Sequence, residues 1–311
     1  IYLTAANMID AQTLQVGKLV AFMEYLFHAM FSVMLFCMVF MLYPRASISA
    51  KRIMAVLNTE TSIENHPGNA QTDSGSGEHS VIFEHVDFVY PDGEEAVLKD
   101  ISFSAKSGET VAFIGSTGSG KSSLIQLIPR FYDRASGNIY IDSQKIEDLD
   151  INALRSKIGF VPQKAHLFSG TIEENIRFGK PDATMDEIIH AAKIAQAYDF
   201  IMEKPHQFQE QIVEGATNVS GGQKQRLSIA RALIRKPEIY IYDDSFSALD
   251  FKTDARLRKA LKPEIKNAIV FLVAQRVSTI LDADKIVVLD EGKIAGIGTH
   301  RELLASCPIY Y

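Results

Sequence analysis

Three short constellations in this sequence have the residue types and spacing to handle a polyphosphate. Gly115-Ser116-Thr117-Gly118-Ser119-Gly120-Lys121-Ser122 fits G-x-x-x-x-G-K-[ST]. Glycines let a backbone curl until its N–H groups surround phosphate oxygens, the lysine reaches the β/γ-phosphates, and the last hydroxyl is placed to meet Mg²⁺. A second constellation, Asp243-Asp244, ends the β-prone run Ile239-Tyr240-Ile241-Tyr242. A buried strand with a carboxylate at its tip suits an octahedral, oxygen-liganded Mg²⁺, and Asp243 is the candidate on the metal side. The third, Val219-Ser220-Gly221-Gly222-Gln223-Lys224-Gln225-Arg226, opens a helical pattern that carries Leu227, Ala230, Leu233 and Ile234 on one face. Its hydroxyl, glycine N–H groups and positive helix end make a second seat for an anion. Each has a plainer reading when taken alone: a glycine-rich turn, an acidic cap, an N-cap serine. Together they point to phosphate chemistry.

The elements that must position these groups alternate along the chain. Apolar strand-like runs at 81–90, 110–114, 239–242 and 269–274 interleave with helical periodicity at 121–131, 184–202 and 222–235. That alternation predicts an α/β domain over residues 81–311 with a mainly parallel central sheet. A length of 311 residues fits about two domains, and 47% hydrophobic with 23% charged residues is globular usage that excludes collagen-like or wholly disordered chains. A net charge of −6 supplies no basic field for a phosphodiester backbone, so no nucleic-acid partner is expected. Cys37 and Cys307 are too few for a disulfide framework or a cysteine-ligated metal, which agrees with a reducing compartment.

Residues 19–43 form an apolar run whose strongly polar members are Glu24, His28 and Ser32. As a helix the run would extend about 37 Å, beyond the roughly 30 Å of a hydrocarbon core, so a transmembrane span is expected. A signal peptide has a shorter apolar centre and a small-residue cleavage site, and neither is found. Arg45, Lys51 and Arg52 come just after the run whereas Lys18 alone lies close before it, placing the C-terminal remainder in the cytoplasm. Glu24, His28 and Ser32 recur at i, i+4, i+8 on one face, which suits either a solvated path or hydrogen bonds between helices. Residues 1–57, beginning at Ile1 with a loop before a single span, read as the C-terminal part of a larger membrane domain. Residues 58–80, rich in Gly, Ser, Thr, Asn and acidic side chains, read as a linker.

With the P-loop and strand-end aspartate in place, VSGGQKQR resembles the signature of the ATP-binding cassette (ABC) superfamily, with Val219 where Leu is usual, and the resemblance covers essentially the whole chain. It implies a multi-domain fold: the last transmembrane α-helix of an exporter membrane domain, then an α/β P-loop (RecA-like) nucleotide-binding domain with antiparallel β and α-helical signature subdomains. ATP and Mg²⁺ are the implied ligands. On this resemblance Tyr90 stacks on adenine and residues 115–123, Ser123 included, cradle the phosphates. Ser122, Gln163 and Asp243 stand at the metal, and Gln163 also faces the membrane domain. Ser220, Gly221, Gly222 and Gln223 meet the nucleotide of a head-to-tail partner, Ser247-Ala248-Leu249-Asp250 forms a dimer-contacting loop, and Glu214 matches an acidic loop of exporters that contacts intracellular helices. The segment PRASISAKRI after the span is similar to fused exporter half-transporters. The resemblance therefore implies a multi-pass protein of the cell (plasma) membrane with its nucleotide-binding domain in the cytoplasm. It would export a small molecule, a lipid or a peptide, with multidrug export among the choices.

Two positions depart from the family pattern. A Glu normally follows the metal-side Asp and aims the attacking water, but this chain has Asp244. The shorter side chain withdraws its carboxylate by more than about 1 Å, a displacement that can cost on the order of 10²-fold in rate. Where the family has a switch histidine, LVAQRVST places Gln275, whose amide can donate to a γ-phosphate but cannot carry a proton. Both changes fall in one catalytic site while the P-loop, Tyr90, Gln163 and the signature are intact. The expectation is ATP binding retained, hydrolysis weakened, and a heterodimer in which a second ABC half-transporter supplies the competent Glu and His. A homodimer that hydrolyses slowly and equally at both sites is the alternative. A soluble regulatory or DNA-repair ATPase of the same superfamily fits poorly with the spanning helix and the acidic balance.

Overall fold

The computed structural model describes residues 2–61, 63–65, 79–275 and 277–310. The chain divides into two compact units, Ile1–Ser62 and Ile63–Tyr311. In the first unit the expected leading loop is largely a helix, Tyr2–Asp10, joined by a short turn to the long helix Val16–Leu57. This second helix has 42 residues and a mean hydropathy of 2.1 in its most apolar window, long and apolar enough to cross a bilayer. It continues beyond the apolar run and through Pro44. One proline removes a single N–H donor, and the following Ala46, Ala50, Lys51, Arg52 and Met54 are strong helix formers that carry the spiral on. None of its residues is buried within the unit. Glu24 and His28 are exposed, and the Ser32 hydroxyl donates to the His28 carbonyl at 2.8 Å, so that hydroxyl is satisfied inside its own helix. Of the expected linker, residues 62 and 66–78 lie outside the described residues.

The second unit contains the strands β1 (Ser80–Phe88), β2 (Leu98–Lys106), β3 (Thr110–Gly115), β4 (Ser136–Ile141), β5 (Gln144–Lys145), β6 (Ile158–Val161), β7 (Gly170–Thr171), β8 (Gln211–Ile212), β9 (Ile239–Asp243), β10 (Ile269–Val273), β11 (Lys285–Asp290) and β12 (Lys293–Gly298). The central sheet has the order β12-β11-β3-β10-β9-β6 and is parallel except for the β11–β12 edge pair. Every residue of β9 and β10 is buried, as required of parallel strands covered on both faces. Tyr240, Tyr242, Val270 and Leu272 point into one core, shared with Leu227 and Ile229 of the helix Gly221–Leu233. Ile239, Ile241, Ile269 and Phe271 point into the other, shared with the helix Lys121–Leu127 and with the antiparallel sheet β2-β1-β4-β5. The predicted α/β class and mainly parallel sheet are therefore present.

Local boundaries differ from the periodicity reading where backbone geometry intervenes. The helical pattern at 184–202 is two helices, Met185–Ile194 and Tyr198–Met202, separated at Gln196 by a left-handed φ of 56°. The strand expected at 81–90 ends at Phe88, which leaves Tyr90 in the turn beyond it.

Candidate nucleotide site

Strand β3 delivers the P-loop, which turns into the helix Lys121–Leu127. Gly120 caps that helix with φ +95°, and a Cβ there would lie 2.6 Å from Leu98 Cδ2 and 3.1 Å from the Val97 carbonyl, so both conformation and space demand glycine. Lys121 Nζ donates to the Gly115 carbonyl at 2.8 Å, the Ser116 carbonyl at 2.6 Å and Ser119 Oγ at 3.3 Å. The ammonium is thus folded onto its own loop and must swing outward to reach a phosphate. Burial lowers its pKa, against the opposing pull of Asp244 and Asp243.

Ser122 Oγ donates to Asp243 Oδ1 at 2.9 Å. Burial, reinforced by the neighbouring Asp244 charge, pushes the Asp243 carboxyl upward in spite of Ser122 and Lys121. A second positive charge would relieve this crowding of carboxylates. The donor set of hydroxyl and carboxylate oxygens fits a hard cation such as Mg²⁺, which Ser122 and Asp243 would hold, with the Gln163 amide oxygen a further candidate. When bound, such an ion neutralises phosphate charge.

Asp244 leaves β9 with a left-handed φ of 47°, and its N–H donates to the Val273 carbonyl at the tip of β10 at 3.0 Å. Its Oδ2 accepts from Gln275 Nε2 at 2.8 Å and from Gln163 Nε2 at 3.3 Å. Three segments, at the C-terminal ends of β6, β9 and β10, therefore meet on one short carboxylate. The adjoining cleft has a volume of ≈ 580 Å³ and includes the P-loop, Tyr90, Gln163 and Gln275, a size in the range of small-molecule sites. Tyr90 is held at its edge by a 2.8 Å hydrogen bond between its hydroxyl and Ser123 Oγ and by edge-on contacts with Phe88 and Tyr132.

The signature residues lie elsewhere. Ser220 caps the helix Gly221–Leu233: its Oγ accepts from the Gln223 N–H at 3.2 Å, and Gln223 Oε1 accepts from the Ser220 N–H at 3.0 Å. A Cβ on Gly221 would meet nothing within 4 Å, so this helix end is open, and among the described residues the P-loop cleft takes no wall from it. Glu214 is exposed at the start of the single turn Glu214–Ala216 and is not part of the cleft.

Residues 98–247 match the ABC transporter family. That segment, which holds the P-loop, the signature and the Asp243–Asp244 pair, is an ABC transporter domain. The chain is 44% identical over 302 residues to an uncharacterized ABC transporter ATP-binding protein of Bacillus subtilis, YfiB, covering 97% of this chain and 52% of that protein. It is 49% identical over 230 residues to a putative multidrug export ATP-binding/permease protein of Staphylococcus aureus, covering 74% of this chain and 40% of that protein. A solved structure of a bacterial Atm1-family ABC exporter with ATP bound superposes with a TM-score of 0.84 at 34% identity, over 95% of this chain and 52% of that one. The chain thus spans about half the length of the exporter structure and of the first of these relatives.

Two residues that hold this ABC domain together had no role assigned from the sequence: Gln225, inside VSGGQKQR, and Arg231, outside every motif. Gln225, 2% exposed, donates through Nε2 to the Pro162 carbonyl at 3.0 Å, tying the signature helix to the residue before Gln163. Arg231 donates to the Asn175 carbonyl and to Asn175 Oδ1, both at 2.8 Å, and to the His166 carbonyl at 2.9 Å, with its guanidinium 5.2 Å from the Phe168 ring centre. The available signal was Gln225 sharing a helix face with Ile229 and Ala232, since a polar side chain on an apolar stripe must find a partner.

Proposed function

We propose that this chain is the ATP-binding half of an ABC exporter whose own site binds MgATP and hydrolyses it slowly, and that it pairs head to tail with a different half-transporter. In that arrangement residues 220–223 complete the partner's site, and the partner returns a signature to this P-loop. The protein would sit in the plasma membrane as a multi-pass chain with this domain in the cytoplasm. It would export a small molecule, lipid or peptide, and the name of the Staphylococcus aureus relative favours drug-like cargo.

The observation that carries the reading is the state of Asp244. The carboxylate that must aim water is one methylene short and is drawn back by the amides of Gln275 and Gln163. An amide at position 275 donates a hydrogen bond but shuttles no proton. The binding apparatus, by contrast, has its glycine geometry, its lysine, and a paired Ser122–Asp243 oxygen set. Equilibrium binding and single-turnover hydrolysis of ATP, measured on the purified full chain, separate the two functions. Binding with turnover at least 10²-fold below a Glu/His-containing homologue supports the proposal. Equal rapid hydrolysis at both sites of a homodimer would refute it.

A further inference from the structure

Val161 is the last residue of β6, where it lies opposite Tyr242 of β9, and the next residue, Pro162, brings no N–H to continue the ladder. The two carbonyls at this strand exit are taken up by buried side chains from other segments. Ser245 Oγ donates to the Val161 carbonyl at 2.8 Å, with the Asp243 carbonyl a longer 3.4 Å away. Gln225 Nε2 donates to the Pro162 carbonyl at 3.0 Å. Ser245 and Val161 are both 0% exposed, so the serine hydroxyl contributes through the bond it makes to that carbonyl.

Ser245 follows Asp244 in the chain, and Gln163 follows Pro162. The contact of Gln163 Nε2 with Asp244 Oδ2 at 3.3 Å and the bond from Ser245 to Val161 therefore close a ring through Val161, Pro162, Gln163, Asp244 and Ser245. Little in that ring can turn. Pro162 has a fixed φ, Val161 is confined to extended backbone as the residue before a proline, and the Asp244 N–H is tied to the Val273 carbonyl. Ser245 thus sets how the Gln163 side chain stands to Asp244, although it does not itself line the cleft. With Nε2 given to Asp244, the amide oxygen is what Gln163 has left to offer a cation beside Ser122 and Asp243.

We infer that Ser245 is a positioning residue of the nucleotide site: its hydroxyl holds the exit of β6 so that Gln163 is presented both to Asp244 and to a bound Mg²⁺. The inference rests on MgATP binding in the cleft and is independent of which half-transporter is the partner. Gln225 keeps Pro162 anchored when the serine hydroxyl is removed, so the expected loss is one of placement within an intact fold.

Ser245→Ala tests this in the full chain in lipid nanodiscs, with ATP binding measured by titration calorimetry in Mg²⁺ and again in EDTA. Loss of one hydrogen bond should raise the Kd for MgATP about three- to tenfold. The Kd for ATP in EDTA should stay within twofold of wild type, because the Gln163 oxygen acts through the metal. Ser245→Cys, with a weaker donor of similar shape, should fall between wild type and Ser245→Ala, and it carries the same comparison if the alanine variant does not fold. In a Gln163→Ala background, Ser245→Ala should change neither constant, since the residue it positions is gone. Equal weakening with and without Mg²⁺, or effects of the two substitutions that simply add, would mean that the serine only supports the fold, and would overturn the inference. So would an unchanged Kd for MgATP in both Ser245 variants. A wild-type chain that binds no MgATP would overturn the nucleotide reading itself and the positioning role with it.

Discussion

Replacing Asp244 by Glu should raise the hydrolytic rate of this chain's own site, and the structure sets the size of the gain. The substitution inserts one C–C bond, moving the carboxylate forward by about 1.5 Å. At present Oδ2 is held by Gln275 at 2.8 Å and by Gln163 at 3.3 Å, and the longer Gln163 contact should yield first. A displacement of that order is worth up to about 10²-fold, or about 2.7 kcal/mol of barrier. The backbone opposes it slightly, because position 244 has φ 47° and aspartate tolerates the left-handed region better than glutamate. The expected outcome is a 10- to 100-fold faster single turnover with a Tm within a few degrees of wild type. Gln275→His, made singly and with Asp244→Glu, closes a double-mutant cycle. Both side chains share one oxygen, so their effects should be non-additive. Rapid-quench measurements with enzyme in excess over ATP, on the full chain in nanodiscs, give the rate without product release. Should Asp244→Glu stay within twofold of wild type while ATP affinity and Tm are unchanged, the placement of this carboxylate is not what limits the site.

Other substitutions probe the scaffold. Gly120→Ala forces a Cβ against Leu98 Cδ2 at 2.6 Å in a left-handed backbone, and titration calorimetry should record at least a tenfold loss of ATP affinity. Gln225→Leu leaves the Pro162 carbonyl without its buried donor, which should lower stability by about 1–3 kcal/mol in denaturant titration and slow hydrolysis by loosening the adjacent Gln163. Burial alone would raise the Asp142 carboxyl, but Lys157, the Ser80 N–H and His79 hold it below its ordinary 3.8. Its contribution is therefore fully present above pH 3.8 and is lost as pH falls through the lower folded value. Tm measured from pH 6 to pH 2.5 should fall more steeply for wild type than for Asp142→Asn.

The features legible in the amino-acid order were local and backbone-coded. The P-loop spacing, the β-prone run into Asp243, and the Ser220 cap with Gln223 three residues on each contain the cause of their own conformation within a few residues. Gln225 left a faint trace as a polar residue on an apolar helix face, and its partner carbonyl lies 63 positions away. The extension of the long helix past Pro44 was hidden because a proline ordinarily marks a boundary, yet the flanking helix formers outweigh one lost donor.

The amino-acid order by itself determined that this chain carries a phosphate-loop pattern on an α/β sheet and a long apolar helix, since glycine torsions, side-chain caps and hydrophobic period act over short distances. Only the tertiary structure decided that Gln163 and Gln275, 81 and 31 positions from Asp244, converge on a single oxygen of its carboxylate. Parallel pairing of β9 with β10, Asp243 opposite Val273, and of β9 with β6 brings those strand ends to one edge of the sheet. Such pairing depends on which strands become neighbours, and that is a choice made by the whole core.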